Sequence, residues 1–350
     1  MKVSELGEFG LIERLKDELG SQDKAKAVLG PHSQLLLGIG DDAALWKSPS
    51  TAQLATTDTM VAGIHFPEEG IGWRDLGWKV MAANVSDIAA MGGRPEFALA
   101  TLGLPADFLV EDVVAIYKGM AEAGREYGVL IAGGDMVRSQ QVVLTVALLG
   151  QASQDPRGEP QVLGRSCAGA GDLIAVSGTL GNSAGGLRSI VEGKATTHAT
   201  ADFLRRAHLR PRPHVDLGQS LIRGGIRCAI DISDGLAQDL RHVCEASKLS
   251  ATVRLRDLPL SDHLRRAFPD EATEMAVSGG EDYELLFTGP ANLVDRIRGR
   301  FAIPITVIGV MEESGEHRVR FVDDMGAEVS FAKGGWDHFA ADRGETVTPG

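Results

Sequence analysis

Cysteine is scarce: three residues in 350, Cys167, Cys228 and Cys244, with no C-x-x-C pair, offer no basis for a disulfide framework or a thiolate metal centre. They read as small buried residues in a reducing compartment. Long apolar runs are missing too. The longest, such as 142–149, is strand-sized and interrupted by Thr145, well short of the roughly 20 residues that span a bilayer. The opening Met-Lys-Val-Ser-Glu carries no apolar signal segment, so a cytoplasmic protein is expected. Basic residues are outnumbered 35 to 48, giving a net charge of −13, and they form no basic run of the kind that reads nucleic-acid phosphates. There is no G-x-x-x-x-G-K-[ST], and no G-x-G-x-x-G opens a helix after a strand. Walker-type nucleotidases, protein kinases and Rossmann dehydrogenases are thereby disfavoured. The glycine-rich stretch 178–186 contains no Lys and reads as a structural turn.

What is present is glycine, 43 residues against only 5% aromatics, which suits an α/β protein with many tight strand-to-helix turns. The length favours two domains. Helical spacing of Leu6, Phe9, Ile12, Leu15 and Leu19 predicts a helix over 5–19, stopped by Gly20. Strands are expected at 34–37, 53–57, 97–102, 129–132 and 142–149, and helices at 73–91 and 110–127. The polar stretch 151–160, with two prolines, is the expected boundary. Beyond it strands at 172–177, 227–230, 283–287 and 305–310 alternate with helices at 183–191, 235–245 and 293–300. The expectation is an N-terminal α/β domain over 1–150, a second over 151–340, and a tail over 341–350.

The aspartates carry the chemistry. Predicted strand ends hold Gly40-Asp41-Asp42, Thr56-Thr57-Asp58, Gly133-Gly134-Asp135 and Asp231-Ile232-Ser233-Asp234, while Asp87 sits on a helix in apolar surroundings. Asp is an ordinary turn and cap residue, so each one alone reads as structural. Together, at the strand ends where α/β proteins gather ligands, they point to a convergent site. Two carboxylates ~4 Å apart repel by about 4 kcal/mol at an effective dielectric of 20, so such a site requires cations. All-oxygen ligands select Mg²⁺, Mn²⁺ or Ca²⁺, and Mg²⁺ leaves positions for phosphate oxygens. Without a Walker loop, phosphates must be held by metals, by backbone N–H groups at helix starts such as Ser233-Asp234-Gly235, and by a few cations, Arg165 among them. Phosphoryl chemistry is the expected activity.

Taken in order, these strings resemble the thiamine-monophosphate kinase family: Gly7-Glu8-Phe9, Gly38-Ile39-Gly40-Asp41-Asp42-Ala43, Thr57-Asp58-Thr59 with His65-Phe66, and the run from Asn84-Val85-Ser86-Asp87 to Gly92. Gly133-Gly134-Asp135, Asp231-Ile232-Ser233-Asp234-Gly235-Leu236, Ser278-Gly279-Gly280-Glu281-Asp282-Tyr283-Glu284-Leu285 and Gly335-Trp336-Asp337-His338-Phe339 continue the match across nearly the whole chain. The resemblance implies an α/β (α+β mixed-sheet) fold of the aminoimidazole-ribonucleotide-synthetase type, with N-terminal domains pairing in a homodimer. It implies ATP and several Mg²⁺ ions, with thiamine monophosphate as acceptor and direct transfer. The implied metal ligands are Asp42, Thr56, Thr57, Asp58, Asp87, Asp135, Asp231 and Asp234, with Asp58, Asp87 and Asp135 central to transfer. Asp41 beside Asp42 is an open alternative. The nucleotide would meet Tyr117, Gly134, Arg165 and Ser233, and the acceptor His65, Glu281 and Trp336. An aminoimidazole ribonucleotide synthetase and a non-catalytic binder of ATP or thiamine phosphate are the rival readings. Selenophosphate synthetase would need a reactive Cys near the N-terminus, and no Cys precedes position 167.

Overall fold

The structure is a computed structural model and describes residues 2, 14–15, 18, 34–37, 45–47, 52–67, 70–193, 197–313 and 315–331. Asp41, Asp42, Trp336 and most of the expected helix over 5–19 lie outside the described residues, although Arg14, Leu15 and Glu18 are helical.

Among the described residues, β1 (Gln34–Leu37) and β2 (Leu45–Lys47) form a small antiparallel ribbon. The first main sheet has four strands: β3 (Gln53–Val61), β4 (Arg94–Leu104), β5 (Leu130–Arg138) and β6 (Val143–Gln151), in the order β3-β6-β4-β5. Only the β4/β5 pair is parallel. Its crossover is α2 (Val110–Tyr127), while α1 (Trp73–Ala90) links β3 to β4. Side chains alternate along each strand. Met60, Leu102, Leu144, Val146 and Leu148 therefore face α1 and α2 in one core. On the opposite face Ala55, Thr57, Thr59, Leu99, Asp135 and Val137 are exposed.

A short hairpin, β7 (Ser153–Gln154) and β8 (Pro160–Gln161), leads to the second sheet. It comprises β9 (Leu173–Ser177), β10 (Cys228–Asp231), β11 (Ser250–Arg254), β12 (Leu285–Gly289), β13 (Ile305–Glu312), β14 (Val319–Val322) and β15 (Glu328–Val329). The order is β10-β12-β9-β13-β11-β14-β15, mixed because β11 and β14 run parallel. Helices α3 (Asn182–Val191), α4 (His198–Leu209), α5 (Val215–Gly224), α6 (Leu236–Ser247), α7 (Asp262–Ala267), α8 (Ala272–Ser278) and α9 (Ala291–Ile297) complete it. Ile174 and Val176 pack with α6 on one face; Ala175, between them, packs with α5 and α9 on the other. Both faces are thus covered, whereas one face of the first sheet carries no packed helix among the described residues.

The two sheets meet along α1. A Cβ on Gly218 of α5 would lie 2.1 Å from the Ala89 carbonyl, so only glycine permits this approach. Trp78 Nε1 donates to the Pro211 carbonyl at 2.9 Å, and Tyr283, from the strand-entry segment before β12, is buried in the first core.

Several expected boundaries change, the strand expected over 283–287 forming instead over Leu285–Gly289 and the helix over 293–300 over Ala291–Ile297, and two of the changes bear on the site. The strand expected over 53–57 continues to Val61, and that over 129–132 continues to Arg138. Asp58 and Asp135 therefore lie inside strands rather than at their ends. Local turn propensity of Asp and Gly is overridden by ladder pairing, Asp58 opposite Val146 and Asp135 opposite Thr101. Helix α5, containing Gly218 and preceded by two prolines, and helix α4 are further elements that sequence periodicity does not reveal.

Candidate active site

Strand alternation places Thr56 and Asp58 on the α1 side of β3, where Asp87 waits in the last turn of the helix. Thr56 Oγ1 donates to Asp87 Oδ2 at 2.5 Å. The preceding residue reaches the other sheet: Ser86 Oγ donates to Asp231 Oδ2 at 2.7 Å, at the end of β10. The Ser86-Asp87 dipeptide thus joins both sheets. Asp87 also stands at the negative end of the α1 dipole, with no basic residue in that turn. A carboxylate there is electrostatically unfavourable on local grounds and requires a reason outside the helix.

Electrostatics confirm that the carboxylates converge. Burial, then the charges of Asp87 and Asp234, push the Asp58 pKa up to about 7. Burial, then Asp87, lifts Asp231 to about 7 as well; the Ser86 hydrogen bond opposes this, Asp58 adds to it, and Arg165 counters it. Asp87 is raised by burial, against the pull of Thr56 and Arg165. Four aspartates and one exposed arginine therefore share one region between the sheets.

The segment after β10 is held rigidly. Gly235, at φ 112°, precedes α6, and the buried Asp239 carboxylate accepts from Asp234 N at 3.1 Å and Gly235 N at 3.0 Å. This corrects one expectation: two of the three N–H groups proposed to cradle phosphate at this helix start are already committed to Asp239. Sequence reading missed Asp239, although an acidic residue in the first turn of an expected helix suits the positive end of its dipole. Glu281 N donates to the Ser233 carbonyl at 2.7 Å, and Tyr283 N to that of Ile232 at 2.9 Å, strapping the two loops together.

In the strand-entry segment Glu281 and Tyr283 both have left-handed backbones, φ 65° and 52°. Non-glycine residues rarely adopt these values, so the alternation sends successive side chains to fixed, different places. Glu281 meets Lys79 of α1, with Lys79 Nζ 2.9 Å from both carboxylate oxygens. Asp282 accepts from Gly181 N at 2.5 Å and Ser183 N at 3.0 Å, capping α3 from a distance. Glu284 accepts from Ser177 Oγ and lies 2.6 Å from His214 Nε2. Burial alone would raise the Glu281 pKa, yet Lys79 holds it below the usual carboxylate value; His65 adds to this effect and so lies nearby. His65 Nδ1 accepts from Val61 N at 3.1 Å, which orients the ring.

The structure thus brings together Thr56, Asp58, Asp87, Asp231, Asp234 and Arg165 in one cluster, and His65 with Glu281 in another, with Ser233 between them on the strapped loop. Among the described residues it does not bring in Thr57, Gly134, Asp135 or Tyr117. Thr57 points to the opposite face and donates to the Val146 carbonyl at 3.1 Å. Gly134 and Asp135 are exposed on β5, at the far edge of the sheet from β3, three strand spacings or about 14 Å away. Tyr117 is buried in the core of α1 and α2, where burial raises its pKa.

Among the described residues no three His, Cys, Asp or Glu side chains form a ready-made metal cage. The donor set nevertheless fits a hard cation. Asp231 is buried and Asp58 and Asp87 are half-buried, and their converging carboxylate oxygens are the hard donors that a cation such as Mg²⁺ takes.

Known proteins share this fold. Residues 40–152 match the family model of the AIR synthase related protein, N-terminal domain, and residues 169–322 that of the C-terminal domain. These two domains define the class. Thiamine-monophosphate kinase of Haemophilus influenzae is 38% identical over 343 residues, covering 95% of this chain and 98% of that protein. The crystal structure of thiamine-monophosphate kinase from Stenotrophomonas maltophilia has a TM-score of 0.76 at 37% identity, covering 85% of this chain and 94% of its own. AaThiL complexed with AMPPCP and TMP has a TM-score of 0.73 at 32% identity, covering 97% and 99%. The chain belongs to the thiamine-monophosphate kinase family.

Proposed function

We propose that this chain transfers the γ-phosphoryl group of ATP to thiamine monophosphate, giving ADP and thiamine diphosphate in one in-line step. The observation that carries this reading is the set of half-buried and buried aspartates drawn from β3, α1 and the end of β10, opposed among the described residues by Arg165. The acceptor is already an anion near neutral pH, so no general base is needed, and the demand on the protein is to bring two anions together. Bound Mg²⁺, several ions in this reading, would neutralise the charge that builds on the transferring group. Asp58, Asp87, Asp231 and Asp234 would hold those ions, with Asp42 and the Thr56 and Thr57 oxygens as further ligands; Thr57 would serve through its carbonyl. Arg165 offers a cation to the nucleotide phosphates. Glu281 and His65 would receive the acceptor, and Trp336 would offer it a ring face worth about 0.5–2 kcal/mol against a cationic ring.

Asp135, Gly134 and Tyr117 enter this reading only through a second subunit or a rearrangement. The open face of the first sheet, with Leu99 37% and Val137 50% exposed, supports a homodimer paired through the N-terminal domain. The domain division at about residue 150, a tail from 341 and a cytoplasmic location complete the proposal; no helix among the described residues is long and apolar enough to cross a membrane.

The decisive experiment incubates the protein with Mg-ATP and thiamine monophosphate and separates the products. ADP with thiamine diphosphate is expected, and free thiamine should not replace the acceptor. Folded protein that yields no thiamine diphosphate would refute the reading.

A further inference from the structure

Lys79 is the most deeply buried cation in the described structure, 1% exposed on a helix whose other buried residues are mostly apolar. Its Nζ lies 2.9 Å from both Glu281 oxygens and 3.0 Å from His208 Nε2. An ammonium can only donate, so Nε2 must accept, and the His208 proton must sit on Nδ1. That nitrogen is 3.0 Å from Ser183 Oγ, at the start of α3. His208 is itself fully buried, and burial with the neighbouring Lys79 keeps it neutral, its pKa lowered to about 3. The network therefore carries one cation and one anion. Glu281 alone among the three is partly open, its side chain 27% exposed.

Stability does not explain this arrangement. A buried ion pair is about neutral against an apolar replacement of the same volume, and Glu281 adopts a strained left-handed backbone to make it. A structure that tolerates both has fixed one carboxylate with its rear face against a buried cation and its front face open, close to His65.

We infer that Lys79 and His208 are positioning residues for acceptor recognition: they lock the Glu281 carboxylate, ionised and in one orientation, toward an amino-bearing or cationic ring. Neither touches the acceptor. Lys79 supplies the counter-charge, and His208 with Ser183 fixes where the ammonium points. Because α1 also carries Asp87, the same helix sets the acceptor end and the metal end of the site. This inference rests on the proposed kinase reading.

The test is steady-state kinetics of Lys79→Gln, His208→Gln, Glu281→Gln and the double variant Lys79→Gln/Glu281→Gln, with thiamine monophosphate and ATP varied separately. The thermal shift caused by thiamine monophosphate is measured in parallel. Lys79→Gln should raise the acceptor KM about ten- to hundredfold, the range for a lost hydrogen bond to a charged group, and leave the ATP KM unchanged. The double variant should be no worse than Glu281→Gln alone. His208→Gln should move the acceptor KM in the same direction by a smaller factor, and it decides the matter should Lys79→Gln fail to fold. An unchanged acceptor KM, an equal rise in both KM values, or additive effects in the double variant would overturn the inference. Wild-type protein that forms no thiamine diphosphate but is stabilised by thiamine monophosphate would break the kinase reading alone; the inference then stands if Lys79→Gln loses that stabilisation and falls if it keeps it.

Discussion

Helix α1 carries two buried charge clusters eight residues, or about 12 Å, apart, and they solve the same problem in opposite ways. At Lys79 the protein provides its own counter-ion: Glu281 is held below the usual carboxylate pKa although burial works against it. At Asp87 it does not: Asp58 and Asp231 are pushed to about 7 by burial and then by the charge of Asp87, with exposed Arg165 the cation that opposes the rise at Asp87 and Asp231. Burial is common to both. What differs is whether the compensating charge is built into the chain or left to be delivered. The first arrangement suits a fixed recognition element, the second a site whose cations come and go with a nucleotide.

The sharpest way to break this contrast is to remove a carboxylate from the second cluster. Asp87→Ala should lower kcat by about a thousandfold or more, the scale of losing an electrostatic stabiliser of a transferring group. The same variant should melt no lower than wild type without metal, since it relieves repulsion. Near-normal turnover by the folded variant would remove Asp87 from the transfer site.

The pH dependence of stability should separate the clusters next. The folded pKa of Asp58 and Asp231, about 7, exceeds the ordinary 3.8, so the native state binds more protons in this window. Metal-free protein should therefore lose stability as pH rises from about 4 to 7, by an amount on the order of a few kcal/mol, and Mg²⁺ should abolish most of that loss. His208 has the reverse sign. Its folded pKa of about 3 lies below the ordinary 6.5, so its contribution is present at neutral pH and lost as pH falls from about 6.5 to 3. In His208→Gln that acid-side component should vanish while the loss between pH 4 and 7 persists. Denaturant melts across pH, with and without Mg²⁺, provide the measurement.

A backbone substitution tests the strap between the clusters. A Cβ on Gly280 would lie 2.5 Å from the Ser233 carbonyl, so Gly280→Ala must shift one loop against the other. A loss of about 1–3 kcal/mol is expected by chemical denaturation, with weakened acceptor binding. The smallest effect is reserved for an exposed pair: Arg241→Ala, which removes the contact with Glu245 at 3.7 Å, should change stability by no more than about 0.5 kcal/mol.

Much of this site was legible in the sequence because aspartate is expensive to bury. The set read from the sequence held Asp42, Asp58, Asp87, Asp135, Asp231 and Asp234; Asp58, Asp87, Asp231 and Asp234 share one region, Asp135 stands exposed on β5, and Asp42 lies outside the described residues. The partners that make them interpretable were not legible. Lys79 falls inside the expected helix over 73–91 with nothing local to mark it, and His208 lies where no element was expected; only packing α1 against α4 puts them together with Glu281. Asp239 read as part of a helix rather than the group that occupies the Asp234 and Gly235 N–H donors. Asp58 and Asp135 read as turn residues, because turn propensity is local while the ladders that carry β3 and β5 past them join residues about 90 and 34 positions apart.

The opening scarcities weigh against particular chemistries, since a thiolate centre, a Walker loop and a basic nucleic-acid face each need residue types or motifs whose scarcity the sequence shows; burial is a separate matter, for Cys228 and Cys244 are buried as expected but Cys167 is exposed. The sequence by itself determined the two α/β units, the family and the supply of hard oxygen ligands, because periodicity and residue type are local properties. Only the tertiary structure decided which aspartates share a field, which face of the first sheet stays open and which carboxylate is given a cation of its own. Those are distances between residues far apart in the chain, and electrostatic energy depends on distance and burial, not on position in sequence.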